Sequence, residues 1–195
     1  MNVTTEDVKK LRDATGAGMM DAKKALQEAG NFDDAVALLR KKGHASLAKK
    51  SSRTAKEGLV TSYIHAGGKV GVLVEINCET DFVARNEEFK ELGQEIALHI
   101  AAASPTYVNR EEVPESMIES ERKIYAEQVK GKPENVMETI LAGKLEKFYE
   151  QVCLLDQPYV RDPDKKIKDL VAEKVGKLGE NIQVRRFVRF MVGME

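Results

Sequence analysis

Residues 59–85 constrain the fold of this chain more than any other stretch. Residues 59–65 read Leu-Val-Thr-Ser-Tyr-Ile-His and residues 70–76 read Val-Gly-Val-Leu-Val-Glu-Ile, both rich in β-branched side chains. Gly67-Gly68 lies between them and supplies the positive backbone angles that tight hairpin turns need. The pair predicts an antiparallel hairpin with its return strand over 69–76. Asn77, Thr80 and Asp81 then break the strand, because their short polar side chains bond to nearby backbone and favour turns and caps. Glu87 and Glu88 follow, as suits the first turn of a helix. Asp81 and Phe82 are thereby expected at a strand-to-helix corner. Two readings of Phe82 stand from the residues alone. The ring is buried as a core residue or a staple for the next helix, or it projects from a rigid corner toward a partner.

The rest of the chain predicts an α+β fold, a mostly antiparallel sheet covered by helices, preceded by a small helical unit. Residues 1–45 form the helical unit. Thr4 and Asp7 make a capping pair, and Gly16-Ala17-Gly18 stops the first helix. Residues 19–29 make a second helix closed by Gly30. Residues 32–42 make a third, with Phe32, Val36 and Leu39 on one face and Gly43 as terminator. A basic helical linker covers 46–56, and the α+β core covers 57–195. Within it, helices are expected over 87–103, 114–130, 133–149 and 164–177. The second and third of these form a helical hairpin over about 114–150, turned by Gly131-Lys132-Pro133 with Pro133 at a first helical position. Residues 152–155 read as a short strand. A last strand covers 182–192, with Ile182, Val184, Val188, Phe190 and Val192 on one side.

Composition narrows the function. The net charge is −1, which argues against a general nucleic-acid binder held by phosphate neutralisation. Arg40, Lys41, Lys42, Lys49, Lys50, Arg53 and Lys56 do cluster. They form either an RNA-facing patch or a solvated helix and linker, and no aromatics are interleaved for base stacking. Cys78 and Cys153 sit among apolar residues and read as reduced core thiols. No apolar run reaches the ~18 residues of a membrane span, and the first residues lack the pattern of a targeting peptide. A cytoplasmic protein is expected.

Signals for catalysis are weak throughout. His44, His65 and His99 have no metal-binding spacing. Gly16-Ala17-Gly18-Met19-Met20-Asp21 lacks the third glycine of a dinucleotide loop and follows a helix instead of a strand. Gly143-Lys144 and Gly176-Lys177 are each followed by Leu, so neither makes a phosphate loop. No serine sits in a nucleophile elbow. The chain is expected not to be an enzyme, with no cofactor and no metal.

Two segments carry a resemblance. One is Leu11-Arg12-Asp13-Ala14-Thr15-Gly16-Ala17-Gly18-Met19-Met20-Asp21-Ala22-Lys23-Lys24-Ala25-Leu26; the other is Glu75-Ile76-Asn77-Cys78-Glu79-Thr80-Asp81-Phe82-Val83-Ala84-Arg85. Together they resemble the bacterial elongation factor Ts family in its short form. The ending Arg186-Phe187-Val188-Arg189-Phe190, with Val192-Gly193, is similar to that family's final strand. The resemblance implies a ubiquitin-associated-like N-terminal domain and guanine-nucleotide exchange on elongation factor Tu. It implies that Thr80, Asp81, Phe82 and Val83 dislocate the partner's magnesium site, with Phe82 as the wedge. It implies that Arg12, Met19 and Met20 dock on a GTPase helix. Read without it, the two methionines equally fill the three-helix core. Longer members carry a duplicated core and an inserted coiled coil, and this chain is too short for both. Short members act as homodimers, so a two-fold dimer is expected. A ubiquitin-associated-like or RNA-associated binding module is the alternative reading.

Overall fold

The computed structural model describes residues 3–131 and 133–194. Lys132 of the expected turn lies outside the described residues. Three helices open the chain: α1 (Thr5–Thr15), α2 (Met19–Ala29) and α3 (Phe32–Lys50). Thr4 caps α1 as expected. Its Oγ1 accepts from the Asp7 amide at 3.2 Å, and the Asp7 carboxylate accepts from the Thr4 amide at 3.0 Å. Gly16 and Gly30 end α1 and α2 in the left-handed conformation. Val8, Leu11, Ala22, Ala25, Leu26 and Ala35 are buried between the three helices.

Gly43 does not end α3, which continues to Lys50. The glycine serves packing instead. A Cβ there would lie 3.3 Å from the Ala172 carbonyl oxygen of α8 (Ile167–Leu178), so the missing side chain lets the two helices approach closely. His44 and Asp169 meet at 2.6 Å, and Lys50 donates to the Val175 carbonyl at 3.3 Å, along the same seam.

The core is a three-stranded antiparallel sheet of β1 (Glu57–Ile64), β2 (Val70–Cys78) and β5 (Gln183–Met191), in the order β1-β2-β5. Gly67 and Gly68 both take positive φ in the β1–β2 turn. Val72, Val74, Ile76 and Cys78 alternate onto the buried face. They pack with Phe89, Leu92, Ile96 and Ile100 of α5 (Glu87–Ala103) and with Ile167, Val171 and Val175 of α8. Both cysteines are free and buried, and burial pushes each thiol up to about 11.

The last strand departs from the expected one-sided pattern. Glu75 faces Arg186 while Ile76 faces Val184, so Arg185 is an extra residue and the register shifts. The bulge reverses the alternation beyond it. Val184 stays at 9% exposure, whereas Phe190 is 68% exposed, and Phe187 takes the inward place.

Two further expectations change between the helical hairpin and α8. The hairpin consists of α6 (Glu115–Gln128) and α7 (Glu134–Val152), with Pro133 capping α7 from outside its first turn. The expected strand at 152–155 is instead the end of α7, a single bridge from Cys153 to Tyr107, and a 3-10 turn over Leu154–Asp156. That turn is held because Leu154 and Leu155 donate to the carbonyls of Tyr107 and Val108. Arg110 pins it from the side, paired with both Asp156 and Glu146 and lying over the Tyr149 ring. The helix expected from 164 starts at Ile167, after a small ribbon of β3 (Pro158–Tyr159) and β4 (Asp162–Lys166). Asp169 sets that start by accepting from the Lys166 amide at 2.8 Å.

Gly58 tests the sheet geometry. Its φ is +149, and a Cβ there would fall 2.1 Å from the Ile76 carbonyl oxygen. Gly58→Ala is expected to cost more than about 1 kcal/mol in urea-induced unfolding. Parental stability in that variant refutes the close approach of β1 to β2.

Candidate functional site: an exposed ring at the end of the central strand

Beyond Cys78 the ladder of β2 runs out, and Thr80 turns the chain into one short helical turn, α4 (Asp81–Ala84). Thr80 is the N-cap, its hydroxyl accepting from the Val83 amide at 3.4 Å. Ala84 and Arg85 donate back to the carbonyls of Thr80 and Asp81, and Asn86 caps α5 directly afterwards. The amides of Val83, Ala84, Arg85 and Asn86 are thus all bonded back into the corner.

Phe82 stands at its apex with 80% of its surface exposed. The structure excludes the buried-staple reading of this ring. Val83 has the opposite role, since it packs partly against the main core and anchors the turn. Asp81 is half-buried and pairs with Arg85 at 2.9 Å, one helical turn on. A carboxylate and a bare phenyl ring thus leave the same turn side by side.

Residues distant in sequence hold this corner. The Glu180 carboxylate accepts from the amides of Glu79 and Thr80, both at 3.0 Å, and from the Thr80 hydroxyl at 2.6 Å. Glu79 in turn accepts from the Asn181 amide at 2.6 Å and pairs with Arg53 at 3.5 Å. Nothing local in Gly179-Glu180-Asn181 marks them, because their partners lie about a hundred residues away.

The second predicted group sits on the helical unit. Met19 and Met20 open α2 and are 38% and 64% exposed, so they do not fill the three-helix core. Arg12, in the last turn of α1, reaches the Met19 sulfur at 3.9 Å and pairs with Asp13. Arg12 and Met19 thus sit together, a cation beside an adaptable apolar group, with Met20 exposed next along the helix.

Several of the other polar groups singled out in the sequence are engaged in the fold. His99 is buried and bonded to Gln157, and burial holds its pKa down. His65 meets the Tyr63 hydroxyl at 3.1 Å. Much of the basic cluster is also spoken for, with Lys42 on Glu28, Arg53 on Glu79, and Arg40 on the Asp164 carbonyl. Among the described residues no group of three or more His, Cys, Asp or Glu is placed to hold a metal ion.

The chain thus presents to solvent a projecting ring on one short turn and a mixed cationic and apolar group on the helical unit. The family model described as Elongation factor TS matches residues 3–194. The chain is 59% identical over 195 residues to the elongation factor Ts of Thermodesulfovibrio yellowstonii, covering 99% of this chain and 98% of that one. It is 57% identical to that of Fervidobacterium nodosum, over 99% of this chain and all of the relative, and 55% identical to that of Thermotoga neapolitana over the whole of both. The chain belongs to the elongation factor Ts family. It is a translation elongation factor and not an enzyme.

Burial predicts how the helical unit responds to truncation. Met20→Ala is expected to shift unfolding free energy by less than about 0.5 kcal/mol, whereas Leu11→Ala, fully buried in that unit, is expected to cost about 2–5 kcal/mol. Circular dichroism melts of both variants make the comparison. Equal losses return Met20 to the core.

Proposed function

We propose that this chain is the guanine-nucleotide exchange factor for elongation factor Tu, acting in the cytoplasm during translation elongation, and that Phe82 is its wedge. The exposed apex position of Phe82 carries the reading. A GTPase holds its nucleotide through magnesium and a phosphate loop acting together. An exchange factor need not touch the nucleotide. It has to bind the empty GTPase better than the loaded one, and the coupling is reciprocal, so a bound nucleotide weakens the factor by the same ratio. A phenyl ring driven between two elements of the GTPase displaces groups that support the metal. Asp81 accompanies it as a like-charged neighbour of the phosphates. Thr80 and Val83 hold both at the required angle. Arg12, Met19 and Met20 supply grip away from the metal, so that the work of dislocation is drawn from binding elsewhere.

Desolvating one phenylalanine is worth ~2 kcal/mol, or about thirtyfold in an equilibrium constant. Phe82→Ala is therefore expected to slow factor-stimulated release of a fluorescent GDP analogue from elongation factor Tu by about tenfold to thirtyfold. Its melting temperature should stay at the parental value, because the ring is solvated in the free chain. An unchanged release rate in stopped flow rules out the wedge.

The chain is further proposed to act as a homodimer through the outer face of the sheet. Val60 and Ile64 of β1, Leu73 of β2, and Val188 and Phe190 of β5 share that face and are all exposed. Arg186 and Glu75 pair at 2.7 Å on the same side. A face carrying its own apolar centre and both charges is self-complementary under a two-fold axis, and two such sheets make a sandwich. Val188→Lys is expected to convert a dimer into a 21.7 kDa monomer in sedimentation velocity. A parental chain that sediments as a monomer at tens of micromolar refutes this pairing.

A further inference from the structure

We propose that Glu180 is a positioning residue for nucleotide exchange, acting through Thr80 to hold Phe82 in its projecting geometry. The inference rests on the wedge reading of Phe82.

The need for such a residue follows from the end of the sheet. The β1 pairing stops at Glu57 opposite Cys78, and the β5 pairing stops at Gln183 opposite Asn77. The amides of Glu79 and Thr80 therefore emerge beyond the last rung with no strand to accept them. The turn that follows, α4, has four residues and cannot sustain itself as an isolated helix. Left alone, this segment would sample many conformations, and docking would have to select one.

Glu180 meets each of these gaps. One carboxylate oxygen takes both orphaned amides, and the other takes the Thr80 hydroxyl. That hydroxyl accepts in turn from the Val83 amide, so the bonds form a chain from Glu180 through Thr80 to the turn that bears the ring. A carboxylate acceptor makes these bonds stronger than neutral ones, and linked bonds polarise one another.

The loop that carries the carboxylate is itself fixed. Asn181, fully buried, donates its amide to Glu79 and its side chain to the carbonyls of Ser51 and Arg53. Gly179 ends α8 immediately before, in the left-handed conformation. The loop that carries Glu180 is thus clamped between the end of α8, the end of β2 and the connection from α3 to β1. A residue held this firmly transmits a geometry. A residue on a loose loop would merely follow it.

The test uses the full-length chain and elongation factor Tu loaded with a fluorescent GDP analogue. Release is followed by stopped flow at increasing factor concentration. Glu180→Ala is expected to lower stimulated release about tenfold while keeping the parental circular dichroism spectrum, with some loss of melting temperature from the three bonds removed. Hydrogen exchange at the Glu79 and Thr80 amides should speed up. Glu180→Gln keeps an acceptor oxygen for the two amides, and should recover most of the loss. It also keeps the test open should Glu180→Ala prove unstable. In the Phe82→Ala background, Glu180→Ala should change the rate by less than about twofold, because a residue acting through the ring has nothing left to position. Parental release by Glu180→Ala, alongside slow release by Phe82→Ala, overturns the inference and leaves the wedge standing. A Glu180→Ala loss that persists undiminished in the Phe82→Ala background also overturns it, placing Glu180 in some other contact. Parental release by Phe82→Ala itself removes the wedge and the inference together.

Discussion

The pairing of β2 with a neighbour on each side is the constraint from which the rest of the molecule takes its geometry. Its inward side chains Val72, Val74, Ile76 and Cys78 seal against α5 and α8, so its register cannot slip by one residue without turning that whole set to solvent. The direction in which the chain leaves the sheet at Cys78 is consequently fixed. Thr80, Asp81 and Phe82 inherit that direction within a few bonds. A ring mounted there is backed by the core beneath it and by the Glu180 loop beside it.

Much of this was legible from residue pattern. The hairpin, its glycine turn, the α5 helix and the corner at Asp81 all follow from local chemistry acting over a few residues. What escaped was decided at a distance. Gly43 has the look of a helix stop, yet α3 runs through it because Ala172 of α8 requires the space. The alternation of 182–192 looked one-sided, and the extra residue at Arg185 divided it between two faces. The α8 start was displaced by Asp169, and the segment at 152–155 was captured by Tyr107 and Val108. Within the site, the exposed placement of Phe82 was one of two open readings, and Glu180 carried no signal at all. Side chains that act on backbone a hundred residues away leave no periodicity to find.

The bulge in β5 has a consequence beyond register. By turning Val188 and Phe190 outward while Phe187 takes the inner place, it gives the outer face of the sheet an apolar centre that strict alternation would have buried. An antiparallel sheet with one face on a core ordinarily shows polar residues on the other. Here Val60, Ile64 and Leu73 of the neighbouring strands share the outward face, so the departure is common to all three strands. An apolar face of that extent is costly in water and calls for a cover.

The two surfaces proposed to meet the partner are mounted on shared supports. Arg12, Met19 and Met20 belong to the helical unit, whose third helix lies along α8 through Gly43, His44 and Lys50. The loop that follows α8 carries Glu180 to the tip and Asn181 to the connection leaving α3. α8 therefore stands behind both surfaces. This matters for how exchange is driven. Under the proposed mechanism, grip at the helical patch would lower the free energy of the complex in either nucleotide state, and by itself would release nothing. On the proposed wedge reading, a stiff connection is what would let that grip act at the ring, where the loaded and empty states would differ. A flexible tether between the same two surfaces would bind as tightly and discriminate less, since the ring could withdraw while the patch held on.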